Sequence, residues 1–283
     1  MRLLRVGTPG NESPAVEHEG SVLDVSAHVD DYDGAFWVSG GPARLAEAVQ
    51  AGGLPAVDDA VRVGPPIARP SKVVCVGLNY RAHAIESGAV IPTEPIIFFK
   101  APNTVVGPND DVLIPPGSTK TDWEVELGVV IGRECRYLAD ERQAAESIAG
   151  YAISNDVSER EYQLERGGQW VKGKSAETFN PLGPVLVTAD DVSDPQALGL
   201  RLSVNGVERQ SSTTADMIFG VHHIVWYLSQ FMVLEPGDLI NTGTPAGVGL
   251  GLKPPTYLRP GDVMELSIDG LGSQRQEAKQ ATA

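Results

Sequence analysis

Apolar residues along the chain come in short runs divided by turn-forming residues, and these runs set the expected elements. VVCVGL (73–78), IIFF (96–99), a run over 125–131, VLV (185–187) and LRLSV (200–204) read as strands. Asn205–Gly206 followed by VERQ is a hairpin turn. Near the start, LLRVG and SVLDVS read as strands, and PARLAEAVQAGG reads as a helix with Pro near its beginning and Gly at its end. Further helices are expected at 141–149, at 158–166 and over 214–233, where TTAD precedes IVWYLSQFMVL. Gly (31) and Pro (21) are spread evenly, so turns recur often and the fold class is α+β, rich in strands. The Pro-rich stretch RVGPPIARPSK separates a small N-terminal α/β unit, residues 1–65, from a larger unit over 66–283.

One run breaks the pattern. TDWEVELGVVIG (121–132) reads as a buried strand, yet it carries Glu124 and Glu126. Side chains two apart on a strand share a face, so the carboxylates project together, roughly 6–7 Å apart. At that range they repel by about 2–3 kcal/mol at an effective dielectric near 20, and desolvation adds to the penalty. A divalent cation removes the repulsion, and paired carboxylates suit hard ions such as Mg²⁺, Mn²⁺ or Ca²⁺. The plain alternative is a strand with one solvated face, where carboxylates are ordinary.

Other segments carry candidate chemistry. YAISNDVSEREYQLER (151–166) begins as a strand and turns into a helix. Ser158 with Glu161 fits a capping box, which puts Asp156 at the strand end, either as a ligand or as a charge complementing the helix dipole. Asp156, Arg160 and Gln163 recur at helical spacing, along one side. In GLNYRAHAIESG (77–88), His83 and Glu86 lie three apart on one turn. A carboxylate beside an imidazole orients it and raises its basicity, as a water-activating base requires; a surface His–Glu pair is the alternative.

GQWVKGKSAETFNPLGP (168–184) reads as a loop in which Lys172 and Lys174 flank Gly173. A lysine facing three carboxylates and a dication would keep such a site near neutrality; two exposed loop lysines is the plainer reading. NTGTPAGVGLG (241–251) offers amides and hydroxyls for a carboxylate nest. It lacks the GxxxxGK[ST] order of a nucleotide loop, which argues against phosphate binding. His222 and His223 are adjacent, diverge on a helix and have no HExxH partner, so they read as packing or surface residues. Trp123 and Trp170 flank the candidate segments and can wall a pocket.

Composition narrows the class. The formal net charge is -15, with 37 acidic and 22 basic residues and no Lys/Arg cluster, which argues against a nucleic-acid partner. Cys75 and Cys135 stand outside any CxxC or Cys/His cluster and form no disulfide framework, which fits a reducing cytoplasm. Cys75 reads as a small buried residue. MRLLRVGTPGNESP breaks into Gly and Pro before an apolar core develops, so no signal peptide is expected. No apolar run reaches the length of a membrane span.

GLNYRAHAIESG, DWEVELGVVIG, NDVSEREYQ, KGKSAETFNPLGP and TGTPAGVG occur in one order. Together they resemble the fumarylacetoacetate hydrolase family, from about Lys72 to GLGSQRQ near the C-terminus. The N-terminal unit looks like the variable cap of bacterial members. The resemblance implies a mixed β-sandwich roll around a Mg²⁺ or Mn²⁺ site, in homodimers or larger assemblies. It implies Glu124, Glu126 and Asp156 as metal ligands, His83 and Glu86 as a water-activating dyad, and Lys174 facing the substrate oxygens. Arg160 and Gln163 match substrate contacts, and Thr244 lies in the loop holding the substrate carboxylate. The implied reaction is hydrolysis of a C–C bond in a 2,4-dioxo acid, an acylpyruvate or a 2,4-diketo-3-deoxy sugar acid, with release of pyruvate. Oxaloacetate decarboxylation, keto–enol isomerisation, ureidoglycolate lysis and a non-catalytic metal-binding role are the alternatives.

Overall fold

The structure is a computed structural model and describes residues 1–58 and 60–282. Its frame is a large mixed sheet. In spatial order its main path runs Ser21–Asp24, Ser13–His18, Arg2–Val6, Asn180–Thr188, Ile148–Asn155, Val125–Ile131, Leu239–Asn241, Val73–Gly77 and Ile96–Lys100. A second sheet has five strands, Val207–Thr213, Gly199–Val204, Val263–Ile268, Gly272–Gln280 and Val112–Ile114. The fold is therefore α+β and strand-rich, as the spacing of apolar runs predicts.

The two sheets bury one core between them. Val125, Leu127, Val129 and Ile131 of the central strand join Leu200, Leu202, Val204, Met264, Leu266 and Ile268 of the second sheet. Period-two alternation sends Val130 to the opposite side, into a core with Leu3, Val16, Phe36, Trp37 and Leu45. All seven residues of Val125–Ile131 are buried, so neither face of this strand is solvated. The two acids of the sequence pattern therefore have no water-exposed face to explain them.

The segment before residue 66 continues the large sheet, because Arg2 and Leu3 pair antiparallel with Val187 and Leu186. The hairpin at Asn205–Gly206 forms as predicted, with Val204 opposite Val207. Asn205 and Gly206 both take positive φ, 53° and 74°, which this two-residue turn requires.

Several expected helices are corrected. The one at 141–149 is confined to Glu141–Ala145, capped by Asp140, and Ile148 already opens a strand. The helix at 158–166 is replaced by a short strand, Ser158–Glu159, paired with Thr121–Asp122, and by a wide π turn at Glu161–Glu165. The Ser158 hydroxyl donates to the Asp156 carbonyl, so no capping box forms. The helix expected over 214–233 splits into a 3₁₀ turn, Thr214–Asp216, and a helix, Val221–Ser229. Asn79 holds the break, accepting from the Phe219 amide (2.9 Å) while its own carbonyl accepts from the Ile218 amide (2.7 Å). The stretch read as a loop at 168–184 contains a helical turn, Val171–Lys174, and the start of the strand Asn180–Thr188. Among the described residues, no helix is long and apolar enough to cross a membrane.

Candidate active site

The strand Val73–Gly77 ends at the mouth of a cavity, and the chain then turns sharply. Leu78 adopts a positive φ of 54°, and the fully buried Asn79 fastens the turn by donating to the carbonyls of Phe219 (3.0 Å) and Thr242 (2.7 Å). The short helix Arg81–Glu86 follows and carries His83 and Glu86 on one face. His83 Nδ1 lies 2.9 Å from Glu86 Oε1. The Glu86 carboxylate also accepts from the Gly247 amide at 3.0 and 3.1 Å, which locks it in place.

Glu124 sits one residue before the central strand, and Glu126 sits within it. Asp156 follows directly on the strand Ile148–Asn155, and its amide donates to the Glu124 carbonyl at 2.9 Å. One carboxylate oxygen from each of Glu124, Glu126 and Asp156 lies within 4.8 Å of the other two, and all three residues are buried. Acids about thirty residues apart along the chain thus meet because antiparallel pairing sets Val125 opposite Asn155.

Three buried cations surround these acids. Lys174 Nζ donates to Glu124 Oε2 and to Asp156 Oδ2, each at 2.7 Å. Lys100 donates to Asp156 Oδ1 and to the Val157 carbonyl. Arg160 Nε donates to Asp122 Oδ2 (2.8 Å) and its Nη1 to Gln163 Oε1 (3.0 Å). Its Nη2 lies 2.7 Å from Glu124 Oε1, an ion contact without the angle of a hydrogen bond. Burial opposes the charge on Glu124, but Lys174, Arg160 and His83 overcome it and hold its carboxyl well below the usual range. Burial likewise opposes the charge on Lys174, and Asp156 and Glu124 reverse that, raising its pKa. For Lys100, burial wins and the pKa falls.

Glu126 is different. Among the described residues, its one donor is the Gly243 amide at 2.7 Å, and it has no ion-pair partner. Burial, with Asp156 and Glu124 beside it, pushes its pKa well above the ordinary value. Counting Asp122, four carboxylates face three cations, one anion in excess. A divalent oxygen-seeking cation fits this donor set: Glu126 gains the partner it lacks, and hard carboxylate oxygens are what Mg²⁺ and Mn²⁺ prefer.

The cavity, about 230 Å³, is lined by His83, Glu124, Glu126, Asp156, Arg160, Gln163, Lys174 and Thr244. Of the site residues that the resemblance implies, only Glu86 stands outside this lining, behind His83; Trp170 also walls the cavity, and Trp123 does not. Thr244 reaches the cavity with its hydroxyl proton already given to the Val125 carbonyl (2.9 Å), while it accepts from Gln210 (2.8 Å). The 241–251 loop is a nest for the chain's own carboxylates. Gly243 serves Glu126, Gly247 serves Glu86, and Gly249 and Leu250 serve Asp122 at 2.7 and 3.0 Å. Lys172 is exposed and donates to the Arg166 carbonyl, away from the acids.

Sequence reasoning missed Lys100 and Asp122. Asp122 was within reach of the period-two argument, since Asp122, Glu124 and Glu126 alternate; nothing in the sequence marks Lys100, which lies two residues beyond Phe98 of the cavity wall. His223 pairs with Glu141 at 3.0 Å on the surface and stacks on Phe219, a packing role as expected.

The profile described as fumarylacetoacetate (FAA) hydrolase C-terminal matches residues 72–278. The chain belongs to the fumarylacetoacetate hydrolase family. A provisionally named hydrolase of Burkholderia multivorans is 50% identical over 283 residues, covering 99% of this chain and 100% of its own. The solved fumarylacetoacetate hydrolase of Exiguobacterium antarcticum superposes with a TM-score of 0.88 at 37% identity, over 99% of this chain and 100% of the other. The maleylpyruvate hydrolase of Sphingobium sp. SYK-6, solved with manganese(II) and pyruvate, superposes with a TM-score of 0.82 at 28% identity, over the whole of both chains. Family membership and the buried acidic triad together make this chain an enzyme of the hydrolase/isomerase fold with a site able to hold a metal.

Proposed function

We propose that this family member hydrolyses the C3–C4 bond of a 2,4-dioxo acid and releases pyruvate, using a divalent cation held by Glu124, Glu126 and Asp156. One observation carries the reading: His83, backed by Glu86, and a buried triad of carboxylates, one of them lacking a counter-charge, line one cavity. When bound, Mg²⁺ or Mn²⁺ supplies Lewis-acid polarisation of the substrate oxygens.

The remaining steps belong to the protein's own side chains. With its Nδ1 proton given to Glu86, His83 presents Nε2 as the acceptor. It takes a proton from a water whose oxygen attacks C4; such general-base assistance contributes about 10²- to 10⁴-fold. The C3–C4 electron pair passes to C3, giving the enolate of pyruvate and a carboxylic acid from C4. Lys174 and the Arg160 Nη2 group, which has no well-angled acceptor, stand at the acidic end to receive the developing oxyanion. The proton held by His83 returns to C3. Decarboxylation or keto–enol isomerisation in the same cavity needs no activated water, so the Glu86-oriented His83 favours hydrolysis.

The test is pyruvate release from a panel of acylpyruvates, with and without a chelator. Release that stops on chelation and returns with Mn²⁺ is expected. Full release by metal-stripped protein overturns the metal's role, and no release from any 2,4-dioxo acid by Mn²⁺-loaded protein overturns the reaction.

A further inference from the structure

The group carried on C4 is set by the cavity wall beyond the acids. That wall is Val76, Leu78, Ala89, Phe98, Trp170 and Leu250, with half-exposed Leu164 at the rim. Contacts fix the order outward. Lys174 Nζ lies 5.1 Å from the centroid of the Phe98 ring, and Phe98 meets Trp170 edge to face at 5.4 Å. Room for the indole comes from Gly77, where a Cβ would lie 2.3 Å from Trp170 Cζ3.

Among the described residues, no cation stands on this outer wall. Arg160 and Lys174, the basic residues of the lining, are bound to Asp122, Glu124 and Asp156 at the inner end. Arg166 pairs with Glu161, and Lys172 turns to a backbone carbonyl. Among uncharged polar residues of the lining, Thr244 has given its proton to Val125, Gln163 accepts from Arg160 at the inner end and keeps its amide protons, and Ser87 stands near the mouth. A terminal carboxylate would lose its hydration here without a counter-charge, and a polyhydroxylated chain would bury more hydroxyls than Gln163 and Ser87 can partner.

We infer that the substrate bears an apolar acyl group on C4, seated against Phe98, Trp170 and Leu250. This rests on the C–C hydrolase reading, and the experiment separates the two. Mn²⁺-loaded protein is titrated with pyruvate, 2-oxobutanoate, 2-oxopentanoate and 2-oxohexanoate, and with 2-oxohexanedioate, which matches the last in length and adds a carboxylate. Dissociation constants are expected to fall about fourfold per methylene along the monoacids. The diacid should bind about tenfold more weakly than 2-oxohexanoate. Trp170→Ala should flatten the series, and Leu164→Lys, at an exposed rim position, should narrow or invert the diacid ratio. A flat series in the parent protein, or a diacid that binds as tightly as its monoacid, overturns the inference. Pyruvate release from acylpyruvates is read on the same samples. A steep series without release leaves the apolar wall standing and removes the reaction; release with a flat series does the reverse.

Discussion

Two neighbouring acids have opposite thermodynamic roles, and the difference comes from their partners. Glu124 is held below its ordinary range by Lys174, Arg160 and His83 against burial, so its stabilisation is present above the unfolded pKa and is lost as pH falls. Glu126 is pushed up by burial and by Asp156 and Glu124. An acid whose folded pKa is raised binds its proton more tightly when folded. Its contribution is therefore complete below the ordinary value of 4.5 and is lost as pH rises toward the raised pKa. A dication displaces that proton, so the gain in melting temperature on adding Mn²⁺ should grow with pH over the same window. Glu126→Gln should raise the melting temperature of metal-free protein at neutral pH and abolish the Mn²⁺-dependent shift. Each kcal/mol regained is worth about 2–4 °C for a chain of this size. Paired thermal melts with and without Mn²⁺ decide it, and a Glu126→Gln protein that melts lower and still responds to Mn²⁺ overturns the assignment.

At the level of elements, the helix Arg81–Glu86 and the 3₁₀ turn Gly249–Gly251 act as one unit. A Cβ on Gly251 would come within 2.6 Å of the Glu86 carboxyl carbon and 2.7 Å of its Oε2. Gly251→Ala should therefore push Glu86 off the Gly247 amide and free the His83 ring. The expected outcome is a loss of turnover of about 10²-fold, the lower end of what a positioned base contributes, with Mn²⁺ affinity unchanged. His83→Ala should give the same split. Steady-state turnover beside Mn²⁺ titration measures both, and undiminished turnover in either variant overturns the base assignment. These helical pieces also mark where the sequence was legible and where it was not. Strands and the Asn205–Gly206 hairpin followed from local pattern; Glu124 and Glu126 stood out because carboxylates in an apolar strand demand a reason, and Asp156 only as an acid at a strand end. The helix expected from Ser158 failed because Ser158 and Glu159 pair with Asp122 and Thr121, a non-local contact that overrides helical spacing. Lys100 escaped notice because a lysine at a strand end is ordinary until its partner, Asp156, is known from the fold.

For the whole molecule, one fact governs how the site is held: the sheet that carries it takes strands from both sides of the Pro-rich stretch 62–72. Arg2–Val6 lies directly against Asn180–Thr188, which in turn pairs with Ile148–Asn155, the strand leading to Asp156. Leu45, fully buried on the helix Gly41–Ala51, shares a core with Val73, Cys75, Val130, Leu186 and Leu239 from the strands around the site. Removing its side chain creates a cavity in a layer common to both parts of the chain. Leu45→Ala should therefore lower stability by about 2–5 kcal/mol and shift the entire unfolding curve. In urea, far-UV circular dichroism, tryptophan fluorescence and loss of pyruvate release should shift by the same midpoint change and remain coincident. If Leu45→Ala instead produces an early transition that leaves pyruvate release intact, residues 1–65 unfold separately and the continuity of the sheet does not couple them to the site.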